Sequence, residues 1–229
     1  MRRFLSLPVA ALCVAGVACG AAQTTEIDPL RRAVEIETTA CGHASRTRGS
    51  GVVVGDGRVL TAAHVVVGAG DVTVTHAGER RVAEIAVLDV TRDLAVLAVQ
   101  GVALPVIETA DAAAGERVAI VDGVSSGTID AGVRRRVLID IDDVRGADRH
   151  ERDGYELDAE IGGGDSGAGV FDGDGRLVAI VFAEPTERDA ITYAVGGREL
   201  ALVLGAHDRR YECRPESSRV VELERSEAT

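Results

Sequence analysis

Apolar residues along this chain fall in short runs, rich in valine and isoleucine and separated by glycine and aspartate. From Gly49 onward the runs are Gly51–Val54, Arg58–Thr61, Val72–Thr75, Arg81–Val87 and Leu94–Val99. A second group comprises Arg117–Val121, Arg134–Ile141, Ala168–Phe171, Arg176–Phe182 and Ile191–Ala194. β-Branched runs bounded by turn residues predict strands, and their succession predicts an all-β sandwich or barrel. Gly55-Asp56-Gly57 and Asp172-Gly173-Asp174-Gly175 each join two runs and predict hairpins. The second lacks the length and the later glutamate of a calcium loop.

Helical spacing is confined to two places. Residues 26–38 predict one short helix, with Asp28 as N-cap and Pro29 in the first turn. Residues 196–206 predict a C-terminal helix carrying Leu200, Leu202 and Val203. Leu104–Gly115, with Pro105 and an alanine-rich patch, has no strand pattern. It reads as the link between a first strand unit, about 49–104, and a second, about 116–195.

The ends of the chain follow different rules. Arg2-Arg3, the apolar Phe4–Val17 and the small residues Ala18-Cys19-Gly20-Ala21-Ala22 have the layout of a secretory signal peptide over residues 1–22. A membrane anchor is the competing reading, and Pro8 and the small residues favour cleavage. Gly16-Val17-Ala18-Cys19 also resembles a lipobox, with Cys19 as the lipidated residue, although glycine replaces the usual aliphatic residue at its first position. Residues 23–48 form an N-terminal segment, and the charged tail 214–229 has the composition of a mobile one.

Removal of residues 1–22 leaves Cys41 and Cys213 as an even pair, which in an exported chain predicts one disulfide. In the chain-entropy view a loop of that length stabilises by ~3–5 kcal/mol. The formal net charge of −12, carried without any lysine, argues against a nucleic-acid partner. Arg134-Arg135-Arg136 is the one basic cluster and reads as a solvated strand or loop face. His43, His76, His150 and His207 lack metal-ligand spacing, and no cofactor is expected.

Chemistry concentrates in Gly162-Gly163-Gly164-Asp165-Ser166-Gly167. A serine on a glycine-rich turn can expose its Oγ beside bare backbone N–H groups, which is what an acyl-transfer nucleophile needs. Upstream lie His64, after Thr61-Ala62-Ala63, and Asp93, before the run Leu94-Ala95-Val96-Leu97. They are candidates for the base and its orienting carboxylate.

These segments resemble the chymotrypsin/trypsin-like serine peptidases, and more closely their bacterial trypsin-like and HtrA-type members. The resemblance is carried by Gly49-Ser50-Gly51-Val52-Val53-Val54, Val59-Leu60-Thr61-Ala62-Ala63-His64-Val65-Val66, Asp93-Leu94-Ala95-Val96-Leu97 and Gly164-Asp165-Ser166-Gly167. The order His, Asp, Ser also matches. It implies two six-stranded β-barrels within a peptidase domain over residues 49–213, with a short N-terminal helix, a C-terminal helix and the site between the barrels. His64, Asp93 and Ser166 would be catalytic, and the N–H groups of Gly164 and Ser166 would form the oxyanion hole.

The resemblance has limits. Gly167-Ala168-Gly169 stands where many members have Gly-Gly-Pro after the serine. No Ile-Val-Gly-Gly processing sequence precedes the first strand group, so a freed N-terminus is not the expected partner of Asp165, which needs an arginine or backbone N–H groups instead. The chain ends too soon for the PDZ domain usual in HtrA-type relatives. By family spacing Glu160 would lie at the floor of the primary specificity pocket and favour Arg or Lys, unless it only ends an exposed strand. Phe182, Ala183 and Glu184 would line the substrate edge strand. The expected activity is exported serine endopeptidase acting on proteins or peptides, secreted or held in the cell envelope. The alternative is a catalytically silent relative using the same cleft to bind peptides.

Overall fold

The short β-branched runs form strands, and the described residues hold twelve antiparallel strands that pair into two six-stranded sheets, each closed on itself. The computed structural model describes residues 28–42, 45–144, 146, 148–183, 190–209, 211 and 213. The expected signal peptide, the lipobox cysteine, His43, Glu184 and the charged tail lie outside them.

The first barrel contains β1 (Ala33–Ala40), β2 (Arg46–Gly55), β3 (Arg58–Ala62), β4 (Ala69–His76), β5 (Glu79–Asp89) and β6 (Leu94–Val99), closing in the order β1-β2-β3-β6-β5-β4. The second contains β7 (Arg117–Val121), β8 (Thr128–Asp142), β9 (Arg149–Leu157), β10 (Gly169–Phe171), β11 (Leu177–Ala183) and β12 (Thr192–Gly196), closing as β10-β11-β12-β9-β8-β7. A one-turn α1 (Ala63–Val66) follows β3, and α2 (Arg198–Leu204) follows β12.

The short helix expected over 26–38 is only a 3-10 turn, Pro29–Arg32, capped by the Asp28 carboxylate on the Leu30 N–H at 3.0 Å. The rest of that segment is β1. Val34, Ile36 and Thr38 point inward while Glu35 and Glu37 face outward, a period of two that excludes a helical face. The first barrel therefore begins at Ala33 rather than near Gly49. Strand β9 falls outside the predicted runs, because Arg149-His150-Glu151-Arg152-Asp153 in its first half carries no apolar signal.

Three cores result. Val53, Val59, Leu97 and Val74 fill the first barrel, and Val118, Val133, Tyr155 and Val181 fill the second. Between the barrels lie Val52, Leu60, Leu94 and Val96 from one side and Phe171, Ile180 and Phe182 from the other, with Leu200 and Val203 of α2. Successive residues of β2 thus serve different cores, which is why Gly49–Gly55 are all buried. Truncating a fully buried leucine such as Leu60 to alanine should cost about 2–5 kcal/mol.

Both expected hairpins form. Gly57 turns between β2 and β3 at φ +67°. The Asp172 carboxylate accepts the N–H groups of Asp174 and Arg176 and pairs with the Arg176 guanidinium, closing the turn from β10 to β11. The three arginines of β8 are paired rather than merely solvated. A bulge between Val133 and Arg135 brings Arg134 and Arg135 to the same Glu156, and Arg136 pairs with Asp153 and Asp111. Past α2, Arg58 pairs with Asp208, and Cys213 is disulfide-bonded to Cys41 with Cα atoms 5.6 Å apart. Among the described residues no helix is long and apolar enough to cross a membrane.

Candidate active site

His64 sits on α1, placed by the exit of β3. Its ring is one-third exposed, and Asp93 holds the residue by two atoms. Asp93 Oδ1 accepts the His64 backbone N–H at 2.8 Å, and Oδ2 lies 2.7 Å from Nδ1. A carboxylate there takes the Nδ1 hydrogen and leaves the Nε2 lone pair facing outward. The Asp93 carbonyl also accepts the Ala63 N–H at 3.1 Å, so α1 and the β5–β6 turn are fixed to each other.

Asp93 adopts φ +54°, a left-handed conformation uncommon outside glycine, and is 4% exposed. The two residues before it are clamped. Arg92 donates to Asp89 at 2.7 Å and to Glu199 of α2 at 2.7 Å. Arg152 of β9, 2% exposed, donates from Nε to the Thr91 carbonyl at 2.7 Å and from Nη2 to the Asp142 carbonyl at 3.0 Å. Its guanidinium lies 5.7 Å from the centroid of the Phe182 ring. Burial lowers the Arg152 pKa, while the Asp93 charge opposes that shift.

The glycine-rich segment forms a tight turn between β9 and β10. The Asp165 N–H bonds the Gly162 carbonyl at 3.2 Å, and the Asp165 carboxylate accepts the Gly162 N–H at 2.7 Å. Asp165 thus finds a backbone N–H as its partner. Burial pushes its pKa up, the Gly162 N–H opposes that, and the nearby Asp122 charge adds to it. Gly164 (φ +109°) and Gly167 (φ +89°) take conformations that side chains rarely adopt. The Gly167 N–H bonds Val181 at 2.8 Å, and the Ala168 N–H bonds Asp165 at 2.8 Å.

The turn is tied to the first barrel. The Ser50 N–H of β2 donates to the Ser166 carbonyl at 2.8 Å. A Cβ on Gly167 would lie 2.0 Å from the Ser50 carbonyl oxygen, so only glycine allows that approach. Ser166, half-buried, is thereby brought to the barrel that carries His64 and Asp93. Among the described residues no hydrogen bond joins the Ser166 hydroxyl to His64. Catalytic hydrogen bonds in unliganded sites are commonly long and tighten with substrate.

The remaining site residues fall in different places. Glu160 is exposed in the loop between β9 and the glycine turn. Phe182 is 6% exposed and packs in the inter-barrel core. Ala183 ends β11. Sequence reading assigned no role to Arg152, which lay in a charged stretch, or to Asp122, which looks like an ordinary turn residue before Gly123. Among the described residues no group of three His, Cys, Asp or Glu could hold a metal ion.

Residues 49–180 match the trypsin-like peptidase domain. The serine proteases MT3772 and Rv3671c of Mycobacterium tuberculosis are each 29% identical over 160 residues, 67% of this chain and 40% of theirs, so the chain spans well under half of their length. The active form of the Rv3671c protease from M. tuberculosis superposes with a TM-score of 0.74 at 25% identity, covering 81% of this chain and 86% of that one. Its inactive form gives 0.66 at 26% identity, over 78% and 91%. The HtrA-type protease AlgW with a tripeptide shares the fold, with a TM-score of 0.65 at 22% identity over 76% and 59%.

Proposed function

The chain belongs to the trypsin-like peptidase family, and from that premise we propose that it is a serine endopeptidase using Ser166, His64 and Asp93. Ser166 Oγ attacks the scissile carbonyl while His64 Nε2 takes its proton and then delivers it to the leaving amine. Asp93 holds the Nδ1 hydrogen and stabilises the imidazolium. The N–H groups of Gly164 and Ser166 receive the oxyanion, and water then hydrolyses the acyl-enzyme by the same steps in reverse order.

The observation that carries this reading is the two-atom grip of Asp93 on His64, 2.8 and 2.7 Å, beside a nucleophile turn bonded to the same barrel through Ser50. Substrates are proteins or peptides running along the end of β11. Glu160, exposed at the head of the turn, is the carboxylate available to receive Arg or Lys. The Cys41–Cys213 disulfide and the leader-like residues 1–22 support export to an oxidising compartment, with release or a lipid at Cys19 as the two fates.

The missing Ser166–His64 hydrogen bond is what the second reading, a silent peptide-binding cleft, would draw on. A fluorophosphonate probe separates the two, because only an activated serine is labelled. Wild type should label at Ser166, and Ser166→Ala and His64→Ala should not, with melting curves unchanged. A folded wild-type protein that stays unlabelled would end the enzyme reading.

A further inference from the structure

Ser50 spends every polar atom it has, and it spends them around the nucleophile turn. It is fully buried on β2. Its N–H donates to the Ser166 carbonyl at 2.8 Å, and its carbonyl accepts the Thr61 hydroxyl at 2.7 Å. Its Oγ accepts the Gly123 N–H at 3.1 Å and lies 2.9 Å from the Gly164 carbonyl and 2.7 Å from Asp122 Oδ1. A serine hydroxyl has one proton, so that proton is shared between a carboxylate and the carbonyl of an oxyanion-hole residue.

Asp122 holds the other end. It is 2% exposed, and its carboxylate accepts the N–H groups of Val124 and Ser125, each at 2.7 Å, and the Ser125 hydroxyl. Burial pushes its pKa up, but the donors from Ser125, Ser50 and Val124 outweigh that and hold it below the ordinary carboxylate range. The loop that Asp122 orders is wedged in place. A Cβ on Gly123 would lie 1.9 Å from the Val34 carbonyl oxygen, and one on Gly164 would lie 3.3 Å from Val124 Cγ2.

We propose that Ser50 and Asp122 are positioning residues that fix the oxyanion-binding turn. The inference rests on the serine peptidase reading and deepens it. The Ser166 N–H shares a plane with the Asp165 carbonyl, and the Ala168 N–H fixes that plane at 2.8 Å. The Gly164 N–H is set by rotation about Gly164 relative to the next plane, whose carbonyl Ser50 holds. Gly164 has no side chain to resist rotation, and its φ of +109° is accessible only to glycine. Without the Ser50 hydroxyl, the plane after Gly164 keeps, among the described residues, only the longer bond from the Asp165 N–H to the Gly162 carbonyl, 3.2 Å, to hold the Gly164 N–H toward the oxyanion. Val124, seated by Asp122, backs the same residue from its Cα side.

The test combines kinetics with amide hydrogen exchange on the full chain. Ser50→Ala should lower kcat about 10- to 100-fold, somewhat less than removal of an oxyanion donor, with KM changed less than about threefold. Binding of a peptide boronate, which mimics the tetrahedral adduct, should weaken in step with kcat/KM. Ser50→Thr keeps the hydroxyl and should recover most of the rate. Asp122→Asn keeps an acceptor for Ser50 but loses one for the Ser125 donors, and should fall between. Amides of Gly164, Asp165 and Gly167 should exchange at least about tenfold faster in Ser50→Ala, with global protection retained. If Ser50→Ala does not fold, Asp122→Asn carries both measurements. Unchanged kcat and unchanged exchange in the folded variant would overturn the proposal. Exchange needs no turnover. If wild type proves inert toward fluorophosphonate, the peptidase reading fails, while faster exchange still upholds the positioning of the turn by Ser50 and unchanged exchange removes it.

Discussion

Replacing Asp93 by asparagine removes one charge and almost no volume, so it probes the triad without opening a cavity. Asparagine can keep the bond from the His64 N–H, 2.8 Å in the native protein, through its carbonyl oxygen. Its amide NH2 then faces Nδ1 across a gap that is 2.7 Å with the carboxylate. Two N–H donors cannot meet at that distance, so Nδ1 must give up its proton and Nε2 must carry one. The ring then offers Ser166 a donor where it needs a base. A wrong tautomer in such a triad costs about 10⁴ in kcat, or about 5 kcal/mol of barrier. Stability should change little, by about 1–2 kcal/mol for the lost charge assistance. The assay is steady-state hydrolysis of a chromogenic peptide at neutral pH, run beside fluorophosphonate labelling and a thermal melt. A folded variant whose kcat stays within about tenfold of wild type would refute the base-and-orienter roles of His64 and Asp93.

Four further perturbations test the surroundings. Arg152→Lys keeps the charge but cannot span the Thr91 and Asp142 carbonyls with a planar fork. It should cost about 1–3 kcal/mol in a melt and lower kcat several-fold, and an unchanged kcat would show that Asp93 does not depend on the clamp. Gly167→Ala puts a methyl against the Ser50 carbonyl at a positive φ, and should cost about 3 kcal/mol or more and abolish labelling of Ser166. Cys41→Ser opens a loop of 172 residues and should cost up to about 5 kcal/mol, read as a lowered melting temperature that reductant reproduces in wild type. Asp122 has a depressed folded-state pKa, so its stabilisation is present above the unfolded-state value of roughly 4 and is lost as pH falls through the folded one. Asp122→Asn should therefore be less stable than wild type at neutral pH and lose less stability on acidification, as followed by denaturant melts across that range.

The strand groups were legible because each core imposes its own period. In β6, Leu94 and Val96 serve the inter-barrel core while Ala95, Leu97 and Val99 fill the first barrel, so the whole run reads as apolar. β1 was misread because helix-start chemistry, Asp28-Pro29, precedes it and outweighed the strand alternation of Val34 and Ile36 with Glu35 and Glu37. β9 was half hidden because its inward partners are charged. Arg152, Asp153 and Glu156 are buried through ion pairs and carbonyl contacts that no hydropathy pattern signals.

The candidate catalytic residues could be read because each sits in a local turn whose neighbours announce it. Their supports could not, and the reason is chemical. Ser50 grips Gly164 114 positions away and Asp122 72 positions away, and Arg152 reaches Thr91 across 61. Ser50 and Arg152 reach Gly164 and Thr91 through backbone carbonyls, which every residue type supplies, so the partner's identity leaves no trace in sequence. Ala168 is placed by packing instead. Its side chain is fully buried in the second-barrel core with Val118 and Val170, away from the face where Ser166 is held. Its neighbours are the constrained ones. A Cβ on Gly169 would meet Val52 Cγ2 at 2.5 Å, and one on Gly167 would meet the Ser50 carbonyl oxygen at 2.0 Å. The turn thus tolerates a methyl at 168, where it only adds to a core, and forbids one at 167 and 169, where the two barrels touch.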